Sequence, residues 1–123
     1  MRRPKLSGNP EDAEVRAAGV TYLRGAIETT AKSGARGLAG GVYAPWGVYD
    51  PARKTVRADR SAAAFSALHA DLERHDVTLG IEAINRFETD LVNTAAEAVA
   101  MAHASGSSRV GALLDTFHLN IEE

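Results

Sequence analysis

The sequence predicts an α/β fold in which three parallel strands alternate with three helices. Stretches with apolar residues at three- and four-residue steps mark the helices. Short, nearly continuous apolar runs mark strands of the kind covered on both faces. The two kinds of segment alternate strictly, and that order favours a parallel sheet with helices packed on it.

Taken in order, residues 10–33 read as the first helix. Asn9 caps it, Pro10 takes the first position, and Glu11 and Asp12 face the positive end of the dipole. Val15, Ala18, Tyr22, Leu23, Ala26 and Ile27 form one stripe, and Gly34 is the stop. Residues 36–44 are a glycine-rich strand, and the glycines allow close approach to the backbone. A loop then runs over residues 45–58, long enough to carry function. Trp46, the only Trp, lies in it, either as a local core plug or as the wall of a ligand pocket. Residues 59–75 form the second helix, with Ala64, Phe65, Leu68 and Leu72 inward. His69 and His75 have no acidic partner at ligand spacing and read as surface histidines. Residues 77–84 are the second strand, interrupted by Glu82. Asn93 or Thr94 caps the third helix, where Thr94-Ala95-Ala96-Glu97 fits a capping box. That helix runs to Ala104 with Ala95, Ala98, Val99 and Ala102 inward and Gly106 as stop, and His103 suits its negative end. Residues 109–115 are the third strand.

Composition sets limits on partners. The chain has 123 residues, 45% hydrophobic and 24% charged, which fits one small domain over residues 1–123. A formal charge of −2 gives no electrostatic case for nucleic acid or for a membrane surface. The absence of cysteine excludes disulfides and thiolate metal sites. No apolar run follows Met1-Arg2-Arg3, and none approaches the roughly 20 residues that span a bilayer. A cytoplasmic location is expected.

Two carboxylates stand at comparable places. Glu82 lies near the end of the second strand and Asp115 at the end of the third, 33 residues apart, the length of one strand–helix unit. Neighbouring parallel strands lie about 4.8 Å apart, so on adjacent strands both carboxylates reach one point above the sheet. Like charges that close repel unless a cation or a proton lies between them. The C-terminal ends of parallel strands are also where α/β sites are built. One reading is a divalent metal site; the other is a Glu82 paired with an Arg such as Arg86. His118, three residues past Asp115, fits metal or acid–base chemistry. The plainer reading is that Asp115 caps the next turn beside a satisfied His.

Residues 80–89, Gly-Ile-Glu-Ala-Ile-Asn-Arg-Phe-Glu-Thr, and residues 114–123, Leu-Asp-Thr-Phe-His-Leu-Asn-Ile-Glu-Glu, together resemble the ketose 3-epimerases. These are the tagatose and psicose 3-epimerases of the xylose-isomerase-like sugar isomerase/epimerase superfamily. Residues 7–19 and 37–46 resemble the family's upstream helix entry and pocket-walling strand, so the likeness covers almost the whole chain. It implies a partial (β/α)8 TIM barrel and one divalent cation, most often manganese, with cobalt or magnesium as alternatives. By this resemblance Glu82 is a metal ligand and one of two acid–base glutamates, and Asp115 is a second ligand. Glu88 and His118 would bind sugar oxygens, and Trp46 and Phe87 would shape the pocket. The implied reaction inverts C3 of a free ketose through a cis-enediolate, with the cation polarising the C2 carbonyl and O3.

A complete barrel of this kind runs about 250 residues. The resemblance assigns the fourth to sixth βα units to this chain. It puts the family's remaining ligands, a His and a second catalytic Glu, and a sugar-contacting Arg after Glu123. The expectation is a truncated barrel, poorly stable and inactive alone, from a family whose full-length members are homo-oligomers. Rival readings are a hydroxypyruvate isomerase, an inosose dehydratase, a damage-specific endonuclease (disfavoured by the acidic balance) and a non-catalytic fragment.

Overall fold

The structure, a computed structural model, describes residues 12–123. Its elements are α1 (Ala13–Lys32), β1 (Gly37–Gly40), a 3₁₀ turn (Pro51–Arg53), α2 (Lys54–Ala67), α3 (His69–His75), β2 (Thr78–Glu82), α4 (Ala95–Ser105), β3 (Val110–Leu113) and α5 (Thr116–Glu122). The sheet runs β1-β2-β3 with both pairings parallel, as the alternating order predicts.

Side chains alternate across a strand, so β2 has two unlike faces. Leu79 and Ile81 are buried under the helices with Phe65, Leu68, Leu72, Val77 and Ala98. Thr78, Gly80 and Glu82 take the opposite face, beside Gly37 and Ala39 of β1 and Gly111 and Leu113 of β3. The expected burial on both faces is therefore corrected to burial on one. Gly80 allows the strands their packing on the open side: a Cβ there would lie 3.0 Å from Ala39 Cβ and 3.3 Å from Leu113 Cβ.

The strands are shorter than the apolar runs. Gly40, at φ 147°, turns the chain out of β1 four residues before the predicted end. β2 stops at Glu82 because the backbone changes partner just beyond it: Ala83 N–H still donates to Leu113 O of β3, at 3.3 Å, but Ile84 N–H donates to Val92 O at 3.0 Å. β3 stops at Leu113 because Asp115 opens a helix that the sequence reading did not foresee.

The helices differ mainly at their starts. α1 opens at Ala13 with Asp12 as cap, its Oδ1 accepting from Glu14 N–H at 2.8 Å and Val15 N–H at 3.3 Å. The predicted Asn9-Pro10 start lies outside the described residues. Gly19, Leu23 and Ile27 are the buried face of α1, whereas Tyr22 is exposed. The predicted 45–58 loop is shortened by the 3₁₀ turn at Pro51 and by α2, which begins five residues before the expected Asp59. Its polar first turns looked like loop, but Arg57 turns inward against Asp90 and is only 5% exposed. The predicted second helix is also broken at Leu68, with no proline or glycine to mark the break. Ala64, Phe65, Leu68 and Leu72 are buried as expected. Thr94 caps α4, accepting from Glu97 N–H at 3.1 Å. There Ala98 and Ala102 are buried as expected, but Val99 stays out and Met101, not assigned to the stripe, goes in. Gly34 and Gly106 end their helices at φ 85° and 68°. Among the described residues no helix is long and apolar enough to cross a membrane.

The N-terminal ends of the strands are tied by one carboxylate. Asp76 ends α3 in the left-handed region, φ 52°. Its Oδ2 pairs with Arg36 before β1 and its Oδ1 with Arg109 before β3, both at 2.7 Å. The hydrogen bond from Arg109, and then the charges of Arg36 and Arg109, hold the Asp76 carboxyl below the usual carboxylate range. A lowered native pKa adds stability above the unfolded value, and that stability is lost as pH falls through the native one. Asp76→Asn keeps a residue that tolerates positive φ and removes the charge. The expected result is a lower Tm than the parent at neutral pH, with the gap closing below about pH 4. Thermal unfolding followed by circular dichroism across that range measures it; a gap independent of pH would remove Asp76 from this role.

Candidate active site at the strand ends

Register decides where the carboxylates go. Glu82 pairs with Leu113 in the parallel ladder, on the open face. Asp115 is two residues further along in extended backbone (φ −105°, ψ 121°) and returns to that face. It is also the cap of α5, its Oδ1 accepting from Phe117 N–H at 2.9 Å. The plain reading of Asp115 as a cap thus holds, and it leaves the second carboxylate oxygen for other partners. One turn into α5, His118 comes back over the strand ends. Glu82, Asp115 and His118 each bring one ligand atom within 4.8 Å of the others.

The imidazole has a fixed polarity. His118 Nδ1 accepts from Asn85 N–H at 3.1 Å and lies 3.0 Å from Asn85 Nδ2. A nitrogen facing a main-chain N–H is the acceptor, so a neutral ring carries its proton on Nε2. Nε2 faces Glu82 Oε1 at 3.7 Å. Neither nitrogen then has a lone pair free for an ion, and the ligands this chain offers are the oxygens of Glu82 and Asp115. Two carboxylates are hard donors suited to manganese, magnesium or cobalt. Oxygens across such an ion lie at most about 4.4 Å apart for bonds of about 2.2 Å, so little closing is needed for these residues to fit.

Glu88 lies next to this group. Its Oε2 accepts from Asn85 Nδ2 at 2.8 Å and its Oε1 from Trp46 Nε1 at 3.2 Å. Gly47 N–H also donates to Glu88 O at 2.9 Å, which ties the loop after β1 to the turn after β2. Trp46 is 75% exposed and Phe87 72%, so Trp46 is not a core plug. Further along the chain Arg57 Nη1 pairs with Asp90 Oδ1 at 2.9 Å, and Asp90 Oδ2 accepts from Asp50 N–H at 2.7 Å. The Tyr43 hydroxyl, buried, donates to Glu82 O at 2.8 Å and fixes the end of β2 from the helix side. Burial, and then the Glu82 charge, push that phenol well above its ordinary pKa, so it stays a donor.

Arg86, the alternative partner of Glu82, goes elsewhere. Its N–H and Nε donate to Glu122 Oε1 at 2.5 and 3.1 Å, and its Nη2 to Ile121 O at 3.2 Å. Burial raises the Glu122 pKa, but the Arg86 N–H, guanidinium hydrogen bond and charge outweigh it, and the net shift is downward. His69 does have an acidic neighbour, Glu73 at 3.8 Å one helical turn on, and its Nδ1 lies 2.6 Å from Ser107 Oγ. That corrects the expectation of no acidic partner, and His69 is not among the residues that meet at the strand ends. Sequence reasoning assigned no part to Asn85, Tyr43, Arg57 or Asp90. The one available signal was an Asn three residues before Glu88 in a strand-end turn; nothing local marks Arg57, which has Arg53, Lys54 and Arg60 beside it.

A profile of the xylose isomerase-like TIM barrel family matches residues 4–123. An L-ribulose 3-epimerase of Mesorhizobium japonicum is 38% identical over 112 residues, 91% of this chain and 38% of that protein. A D-psicose 3-epimerase of Agrobacterium fabrum is 35% identical over 115 residues, 92% of this chain and 40% of that protein. The crystal structure of a D-psicose 3-epimerase in the presence of D-fructose superposes with a TM-score of 0.91 at 32% identity, over 98% of this chain and 43% of that one. The chain thus spans about two fifths of the length of these relatives. With three parallel strands, covering helices and this match over nearly every residue, the chain belongs to the xylose isomerase-like TIM barrel family.

Proposed function

We propose that this chain contributes part of the active site of a metal-dependent ketose 3-epimerase, acting on a small free ketose. The observation that carries the reading is the meeting of Glu82, Asp115 and His118 at the C-terminal strand ends. Glu82 and Asp115 would hold one divalent cation, manganese before cobalt or magnesium. When bound, such an ion supplies Lewis acidity toward a carbonyl and a neighbouring hydroxyl. The rest is the work of the side chains. Glu82 has two oxygens, and the one not directed at the ion takes the C3 proton of the ketose and leaves an enediolate in the sugar. His118 donates from Nε2 to a carbonyl-end oxygen, where negative charge develops. Glu88, already oriented by Asn85 and Trp46, accepts from a sugar hydroxyl. Trp46 and Phe87 present apolar faces to the ring and exclude water from it. Similarity to the L-ribulose and D-psicose 3-epimerases supports a ketose over other substrates of this fold.

The test grafts residues 1–123 in place of the matching segment of the M. japonicum enzyme, which completes the barrel. Manganese-dependent C3 epimerisation, followed by chromatography of the sugar products, is expected in the graft. Glu82→Gln is expected to lower kcat about 10²–10⁴-fold, the range for loss of a general base. Wild-type turnover in that variant would remove Glu82 from the chemistry. For the 123-residue chain alone, manganese binding read by electron paramagnetic resonance is expected to be weak and to vanish in both Glu82→Gln and Asp115→Asn. Binding that survives both substitutions would place the ion elsewhere.

A further inference from the structure

We propose that Asn85 is a positioning residue that sets the proton of His118 on Nε2 and couples the imidazole to Glu88. The inference rests on the reading above for what His118 does to a sugar, but not for the geometry. Asn85 is 3% exposed and His118 9%, so water does not replace the bonds between them.

The polarity begins in the main chain. Phe87 N–H donates to Asn85 Oδ1 at 2.9 Å. A main-chain N–H can only donate, so the amide oxygen must face Phe87 and the NH₂ must face the other way. Its two protons meet Glu88 Oε2 at 2.8 Å and His118 Nδ1 at 3.0 Å. The Asn85 N–H adds a second donor on Nδ1 at 3.1 Å. Nδ1 therefore stays bare and Nε2 carries the hydrogen.

The opposite tautomer has a ready acceptor. Glu88 Oε2 lies 3.7 Å from Nδ1, and a carboxylate there draws a proton to that nitrogen. Asn85 stands between the two and reverses the preference: it gives one proton to the carboxylate and one to the ring. Asn85→Asp keeps the shape and the bond to Phe87 but puts an oxygen where the two donors were. Only the Asn85 main-chain N–H then still favours a bare Nδ1, against carboxylate oxygens from two side chains. The Nδ1–H form gains an acceptor, and the Nε2 donor facing Glu82 is expected to be lost.

The experiment is ¹⁵N NMR of the full chain labelled at histidine, without metal or sugar, at a pH well above the imidazole range. His118 is identified by the signals missing in His118→Gln. The native chain is expected to show a pyridine-type Nδ1 and a pyrrole-type Nε2; an Nδ1–H ring would overturn the proposal without any further variant. Asn85→Asp is expected to move His118 to the Nδ1–H form, and an unchanged tautomer in a folded variant would also overturn it. In the completed barrel the same substitution is expected to lower kcat about 10²-fold, the scale for loss of one oxyanion donor, with a smaller change in KM. Unchanged kcat alongside a lowered Tm would reduce Asn85 to a structural residue. An inactive graft whose native His118 has the expected tautomer and loses it in Asn85→Asp would sink the epimerase reading and leave Asn85 in its place.

Discussion

The site depends on one register. Because β2 and β3 pair in parallel with Glu82 opposite Leu113, every second residue beyond either position lies on the open face. Asp115 reaches Glu82 for that reason alone. A slip of one residue in the pairing would turn Asp115 toward the helices and bring Leu114 to the ligand position. The register is held from both ends. At the strand starts Asp76 gathers Arg36 and Arg109. At the strand ends Tyr43 anchors the Glu82 carbonyl. Between them Leu79, Ile81 and Val110 fill the helix side, so a slipped strand would expose apolar surface as well as misplace the acids.

The second condition is the start of α5. Asp115 is both the last acid of the ladder and the cap of a helix, and that double use sets His118 one turn later. A carboxylate has enough lone pairs for a cap bond and another partner. The helix brings the ring back over β2 only because the turn after β2 presents N–H groups to it. Main-chain donors of that turn orient Asn85, and Asn85 with its own N–H orients His118. The polarity of the ring thus traces to two main-chain N–H groups, one acting on Nδ1 directly and one through the Asn85 amide that it orients.

The strand order, the carboxylate pair and the glycine stops were legible in the sequence because each has a local cause. Alternating periods give the order, strand ends give Glu82 and Asp115, and Gly34 and Gly106 are helix stops at positive φ. What was not legible has a non-local cause. The first turns of α2 look like loop until Asp90, 33 residues away, takes the charge of Arg57. Arg86 looked available to Glu82 until Glu122 took it. Met101 rather than Val99 completes the inward face of α4 because that face is set by what packs on it, and both residues are apolar. Asp115 read equally as a strand end and as the cap of a turn, and the helix beyond that turn was not foreseen. A strand-end Asp and a cap Asp have the same neighbours in sequence, and only the register tells them apart.

The two walls of the site are held with unequal strength. On the Trp46 side the pair Arg57–Asp90 is nearly out of solvent, and removing one partner of such a pair costs about 3–5 kcal/mol because the other charge stays buried. That pair also carries Asp50 N–H and, through the loop, the Trp46 bond to Glu88. On the α5 side the Arg86 guanidinium is largely exposed while the Glu122 carboxylate is not, so solvent screens one partner of the pair. The bond that does not depend on its charge is Arg86 N–H to Glu122. The wall bearing Trp46 and Glu88 is therefore the rigid one, and the wall bearing His118 is held mainly by hydrogen bonds from the turn after β2 and by its own cap. Any closing of Glu82, Asp115 and His118 around an ion or a sugar is then expected to come from α5 moving toward β2, since the opposite wall would have to part a pair in which both charges are largely out of solvent.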